Sequence, residues 1–379
     1  MKTIDGYNVK IFTDNIEETA LTQIKTLLSI DVFSDKKIRI MPDVHAGAGC
    51  VIGFTGDLGD KVIPNIVGVD IGCGMRILKL GQISDIDYHA FHEHIRANVP
   101  SGKIAREEKF GFKPLVGEEM EIYRRAKQLV TELFCYREIK DSARVNKSIG
   151  TLGGGNHFIE LDRDEQDNVY LVIHTGSRNL GKQVADIYQA RAIKHLTPGA
   201  DDFEDMVKRT IEEYKAAGRR SELQGVIAKM RREQKLTNPS LPDALCYLEG
   251  EGREQYLHDM RLCQRWAVLN RKLIAMLLMR FFDAVEVEDE FESVHNYISD
   301  DNIIRKGSIS AAKGERCIIP LNMRDGSLLC TGKGNTDWNC SAPHGAGRVL
   351  SRAQASNQIT MDDFKASMSG IYSESVNES

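Results

Sequence analysis

Residues 67–75 read VGVDIGCGM, which sets a carboxylate, Asp70, and a thiol, Cys73, three positions apart on a run with three glycines. A tight turn needs glycine, but neither acid nor sulfur. Hard oxygen and soft thiolate side by side are metal donors. His157, His174 and His295 stand in comparable settings, in GTLGGGNHFIE (150–160), HTGSRNLG (174–181) and VHNYIS (294–299), each at a strand end or in a loop. A thiolate can bridge two cations. Asp70, Cys73 and one histidine can hold a first ion, and Cys73 with the other two histidines a second, each ion keeping a position for a substrate oxygen. A lone histidine is more often a hydrogen-bonded structural residue; three of them beside Asp70 and Cys73 reverse that expectation. Ligand type alone favours zinc, and spacing does not decide the metal.

Other stretches suit anions. GGGNHFIE can cradle a phosphate on backbone N–H groups, with Asn156 as a further donor, and Arg178 in TGSRN has a planar fork that matches phosphate. Plain tight turns explain either stretch equally well. MPDVHAGAG (41–49) has the same character. His344 in SAPHGAGR (341–348), with Arg348 one helical turn on, suits a nucleophile toward phosphorus or an acid–base group; otherwise it caps a helix start. Absences narrow the chemistry. TGKGN (331–335) fails the P-loop pattern, and no G-x-G-x-x-G follows a strand. NMRDG (322–326) has Met323 where lysine-dependent nucleotidyl transfer places its nucleophile. HAFHEH (89–94) is not H-E-x-x-H and reads as a polar helix face.

The elements that must position these residues are mixed. NVKIF (8–12) reads as the first strand, and Leu21, Ile24, Leu27 and Leu28 as the buried stripe of a helix, with Asp14 and Glu17 as its capping box. Short β-rich pieces fill 36–80, mixed structure runs to about 145, and NVYLVIH (168–174) is a buried strand. From about 182 to 283 the pattern is helical, with Tyr256, Met260, Cys263, Ala267, Ile274 and Leu277 at helical spacing. Strands and turns return from 284, and a closing helix, MDDFKASMS, is capped by Thr360 and stopped by Gly370. The fold class is α+β: one β-rich catalytic body over 1–379 with a mainly helical insertion at about 182–283, and no Rossmann or P-loop core.

The chain has 379 residues, 41% hydrophobic and 28% charged, with net charge −5. That balance argues against a broad nucleic-acid-coating surface, although KMRREQK (229–235) and RKGSISAAKGER (305–316) allow a local basic groove. The longest apolar run, 273–279, is too short to span a bilayer, and MKTIDGYNVK has no apolar signal core, so a cytoplasmic protein is expected. Eight cysteines with no C-x-x-C pair suggest reduced thiols and no zinc ribbon.

VGVDIGCGM, GGGNHFIE, HTGSR, HNY and HGAGR..SR, in this order, resemble the RtcB family of RNA ligases from about residue 36 to the C-terminal end, with 182–283 matching more loosely. The resemblance implies an RtcB-like catalytic domain and a ligase dependent on manganese and GTP. Such an enzyme joins RNA 2′,3′-cyclic phosphate or 3′-phosphate ends to 5′-hydroxyl ends, through a histidine–GMP intermediate and an RNA-3′-pp-5′-G end. It implies Asp70, Cys73 and His157 as ligands of one Mn²⁺, Cys73, His174 and His295 as ligands of the other, and His344 as the guanylylated residue. Asn156, His157, Phe158, Ile159, Glu160, His295, Asn296, Pro320, Leu321, Asn322, Met323, Ser327, His344, Gly345, Ala346 and Gly347 fall where the family holds GTP, and Arg178 joins them as a phosphate ligand. The implied partners are GTP and RNA with broken ends, such as tRNA or rRNA fragments; a monomer is expected, with no membrane partner. Two departures stand out. PLNMRDG (320–326) replaces a common PGSMG and alters the nucleotide pocket. Family chains continue past the SVNES point to a guanine-contacting lysine, whereas this sequence ends at Ser379, either cut short or lacking that segment. The alternatives are a metal-dependent cyclic phosphoesterase and an RNA-end-binding protein that does not ligate.

Overall fold

The computed structural model of the chain describes residues 1–107, 111–233, 239–347, 355 and 357–374. Two sheets carry the architecture. The first runs in the order β1 (Lys2–Thr3), β2 (Val9–Ile11), β3 (Ile38–His45), β4 (Ile52–Asp57), β10 (Ile303–Lys306), β9 (Asn296–Ile298). The β2–β3 pair is parallel and its other neighbours are antiparallel. A parallel pair needs a crossover, and α1 (Glu18–Leu28) supplies it, burying Ile24, Leu27 and Leu28. The second sheet is antiparallel, in the order β6 (Phe158–Arg163), β7 (Asn168–Thr175), β5 (Gly74–Gln82), β8 (Asp289–Val294). Two small ribbons complete the strands: β11 (Ser308–Ser310) with β14 (Ser341–Pro343), and β12 (Arg316–Asn322) with β13 (Gly326–Thr331).

NVKIF is the second strand rather than the first, because the two-residue edge strand β1, whose polar residues carry no hydrophobic pattern, pairs with it. The expected capping box is also absent. The helix starts one turn later, with Glu17 at the N-cap and no side-chain cap, while Asp14 accepts from the terminal ammonium at 2.7 Å. Thr360 does cap the closing helix, accepting from Asp363 N at 3.1 Å. HAFHEH lies on the helix Tyr88–Asn98, where His89 is exposed and His94 Nε2 donates to the Leu277 carbonyl at 2.9 Å. Arg348 and the end of KMRREQK lie outside the described residues.

Helices dominate from 178 to 279. The last, Gly250–Met279, runs 30 residues and buries Tyr256, Trp266, Leu273, Ile274, Leu277 and Leu278 in one core shared with both sheets. Each such side chain contributes roughly 1.5–3 kcal/mol by leaving water. Its polar residues are spent inward as well. Asn270 accepts from Gly150 N at 2.7 Å and donates to the carbonyls of Thr151 and Gly176 at 3.2 and 3.3 Å. Arg271, fully buried, donates to the carbonyls of Gly72 and Thr175 at 2.8 Å each and to Glu292 at 2.8 Å. One guanidinium therefore pins the VGVDIGCGM loop, the end of β7 and strand β8 to the same helix. Among the described residues no helix is long and apolar enough to cross a membrane.

Arg271→Ala leaves the Gly72 and Thr175 carbonyls without this donor and takes from Glu292 one of its two arginine partners, Arg76 remaining at 3.1 Å. It should cost about 2–4 kcal/mol of unfolding free energy, read from denaturant midpoints; a loss below about 1 kcal/mol would show that the clamp is dispensable.

Candidate metal centre

A short helix, Pro64–Val67, ends at Gly68 and releases the chain into the loop that feeds β5. Cys73 N donates to Asp70 O at 3.1 Å and Gly72 N to Asn296 O at 2.7 Å, a turn that sends Asp70 and Cys73 to one side. The sheet supplies the rest. β5 is central, so the residues at its start meet the ends of both neighbours. On one side Met75 pairs with His174 near the end of β7, and Phe158 beyond it pairs with His174 from β6, which places the preceding His157 nearby. On the other side His295, just after β8, donates its backbone N–H to Cys73 O at 3.0 Å. Small size is obligatory at Gly176, where an added Cβ would lie 2.2 Å from Asp70 Oδ1.

The five donors form two triads that share Cys73: Asp70, Cys73 and His157 in one, Cys73, His174 and His295 in the other. Cys73 Sγ lies 3.5 Å from His157 Nε2 and 3.4 Å from His174 Nε2. His157 Nε2 is 2.9 Å from Asp70 Oδ2, and His174 Nε2 is 3.4 Å from His295 Nε2. The tautomers follow from the other ring nitrogens. His157 Nδ1 faces the Leu152 carbonyl at 3.1 Å and His174 Nδ1 the Asn156 carbonyl at 3.0 Å. A carbonyl only accepts, so each Nδ1 carries hydrogen and each Nε2 turns a lone pair inward. Lone pairs, a carboxylate and a thiol then converge, a set that repels itself unless a cation sits among them. Asp70 Oδ1 is buried with no hydrogen-bond partner among the described residues. The residues present therefore fit two thiolate-bridged cations.

The electrostatics agree. Burial, helped by the neighbouring His157, lowers His174 to about 3, so its ring is neutral and free to ligate. Burial also lowers His295. Burial pushes the Asp70 carboxyl up, but His157 at 2.9 Å, followed by the more distant Arg178, outweighs this and holds it below the usual range. Burial, then Asp70, raises the Cys73 thiol well above its ordinary value.

His344 stands beside this cluster, its ring 5.0 Å from that of His295. Its Nδ1 lies 2.7 Å from Asp43 Oδ2, and its backbone N–H donates to the same oxygen at 3.2 Å. Asp43, on β3, is only 5% exposed. A carboxylate accepts only, so the Nδ1 hydrogen faces Asp43 and the Nε2 lone pair is left for other work. Asp43 had no role assigned from sequence, although its stretch MPDVHAGAG stood out; a single acid on a strand carries no pattern of its own.

The expected nucleotide contacts divide. Ser327 donates to Glu160 Oε1 at 3.2 Å, which joins the β12–β13 hairpin to β6, and Pro320 O lies within 3.6 Å of where a Cβ on Gly345 would stand. Pro320, Leu321, Ser327, Glu160 and the His344–Gly347 loop are thus neighbours around one wall. Met323 is at the exposed hairpin tip, and Asn322 Oδ1 is occupied by the backbone N–H groups of Arg324 and Asp325. Asn296 braces the metal loop, donating to Asp70 O at 3.3 Å and accepting from Gly307 N at 3.0 Å. Asn156 contributes its carbonyl to His174, Phe158 packs against that ring at 5.1 Å, and Ile159 packs on the core. Arg178, at a positive φ of 58°, places Nη1 3.3 Å from His157 Nδ1.

Comparison with known proteins adds an independent line. The family model for RtcB, described as tRNA-splicing ligase RtcB, matches residues 23–378. The chain is 28% identical to the RNA-splicing ligase RtcB of Escherichia coli (strain K12), with 95% of this chain and 86% of that protein covered. It is 26% identical to the tRNA-splicing ligase RtcB of Aeropyrum pernix, covering 96% and 85%, and 24% identical to that of Methanococcus maripaludis, covering 96% and 83%.

Two measurements follow from the geometry. Elemental analysis after Mn²⁺ loading should find about two ions per chain, about one in Asp70→Ala or His295→Ala, and none in Cys73→Ala; two ions retained by Cys73→Ala would refute the shared thiolate. Because the ions displace the Cys73 proton, affinity should rise with pH. Glu160 is pushed up to about 8 by burial and by Asp162, from an ordinary 4.5. A raised carboxyl contributes stability that is complete below 4.5 and lost as pH rises through about 8. The unfolding free energy should fall across that window by more than about 1 kcal/mol, and Glu160→Gln should flatten the fall.

Proposed function

The chain belongs to the RtcB family, and from that premise we propose that it seals RNA 2′,3′-cyclic phosphate or 3′-phosphate ends to 5′-hydroxyl ends with GTP, through guanylylated His344. The observation that carries this reading is the Asp43–His344 pair at 2.7 Å, set beside the five-donor cluster. Asp43 holds the Nδ1 hydrogen, so Nε2 attacks the α-phosphorus of GTP, a P–N bond forms, the bond to the bridging oxygen breaks and pyrophosphate leaves. A cyclic end is first opened by water, which bonds to phosphorus as the 2′-oxygen leaves and takes up a proton; an oxygen of the RNA 3′-phosphate then attacks the phosphorus held on His344 and the imidazole leaves, giving RNA-3′-pp-5′-G. The 5′-hydroxyl attacks the RNA 3′-phosphorus, GMP departs and a phosphodiester remains. Splitting one hard displacement into three easier ones is the purpose of the covalent step. Manganese ions held by Asp70, Cys73, His157, His174 and His295 would neutralise phosphate charge and polarise phosphorus. Arg178 beside His157 suits a phosphate oxygen, and Glu160 with Ser327 suits the donors of the guanine edge. RNA with broken ends is the substrate class.

The test uses Mn²⁺ and GTP labelled on the α-phosphate. Wild type should take up acid-labile, alkali-stable label, and His344→Ala none. Asp43→Asn turns an amide donor toward Nδ1 and disfavours the productive tautomer, so labelling should slow by about 10²–10⁴-fold with metal content unchanged. Label persisting in His344→Ala would overturn the proposal.

A further inference from the structure

The β12–β13 hairpin sets Cys317 directly opposite Cys330. Opposed residues of an antiparallel pair share a face, with Cα atoms about 4.5–5.5 Å apart, inside the roughly 4.4–6.8 Å that a disulfide spans. Both thiols are free. Opposed Cβ atoms start about 4.5–5.5 Å apart and a disulfide needs about 3.5–4.5 Å. The strands must therefore draw in by roughly 1 Å or less, a movement open to a ribbon that pairs with no further strand among the described residues. The two sulfurs differ in access. Cys317 is 2% exposed, and burial raises its thiol to about 11. Cys330 is half-buried, its Sγ 3.8 Å from the Leu328 carbonyl, beside exposed Leu328 and Leu329.

We propose that Cys317 and Cys330 are a peroxide-oxidisable dithiol whose disulfide staples this hairpin. The Cys330 thiolate attacks one oxygen of hydrogen peroxide; the O–O bond breaks, hydroxide leaves and takes up a proton, and Cys330 becomes a sulfenic acid. Cys317 then loses its proton and attacks that sulfur, the S–O bond breaks, water leaves and the S–S bond forms. Two thiols give up two electrons and two protons, and peroxide becomes two waters. The same hairpin carries Pro320, Leu321 and Ser327, and Ser327 reaches Glu160. The staple therefore fixes a wall of the nucleotide pocket; this consequence rests on the nucleotide reading above, and the bond itself does not.

Trypsin separates the two sulfurs, leaving Cys317 on 317–324 and Cys330 on 325–333. After peroxide treatment of the full chain and digestion without reductant, mass spectrometry should find these peptides linked, two hydrogens lighter than their sum and parted by dithiothreitol. Cys330→Ser should leave Cys317 unlinked. Peptides that stay unlinked, with Cys330 carried on to sulfinic acid or joined elsewhere, would overturn the proposal. In parallel, oxidation should change GMP affinity at least about threefold in wild type and not in Cys330→Ser treated alike, a control that also carries any oxidation of Cys73. A linked pair with unchanged GMP affinity would leave the bond standing and refute its link to the pocket.

Discussion

One sulfur atom holds the site together. Cys73 Sγ lies within 3.5 Å of imidazole nitrogens of His174 on β7 and of His157 just before β6, and it belongs to both donor triads. Everything around it serves that convergence: the turn that brings Asp70 to the same side, the carbonyls that fix two histidine tautomers, and the buried Arg271 that ties loop, β7 and β8 to one helix. Lone pairs and negative charge packed this closely are costly without a counter-charge. The folded scaffold carries that cost, and cations held between the two triads would relieve it.

The second constraint is the Asp43–His344 pair. It couples the two sheets of the fold functionally, because Asp43 comes from the first sheet and the metal donors gather around the second. On the reading proposed above, the His344 imidazole, 5.0 Å from that of His295 and with its Nδ1 held by a buried carboxylate, would come within reach of phosphorus bound by the cations.

Much of the site was legible in the sequence, and the reason is chemical. Asp70, Cys73 and the three histidines are donor types set next to glycines, which neither core nor surface requires. Asp43 was not legible, because its role depends on a partner 301 positions away. Asn270 and Arg271 were hidden for a related reason: polar residues on a long helix read as solvent-facing until the sheet packed on them is known. The strand pairing that opposes Cys317 and Cys330, and the edge strand ahead of NVKIF, are set by register and tertiary pairing, which local pattern does not encode. The helical character of 182–283 was visible from its spacing, yet its last helix turns out to be the floor on which the metal loop rests.

The most direct test of the shared sulfur is crystallographic. Crystals soaked in Mn²⁺ and measured at the manganese absorption edge should show two anomalous peaks about 3.5–4 Å apart, both bonded to Cys73 Sγ, one also to Asp70 and His157 and the other to His174 and His295. A single peak, or two peaks of which only one contacts that sulfur, would contradict the account.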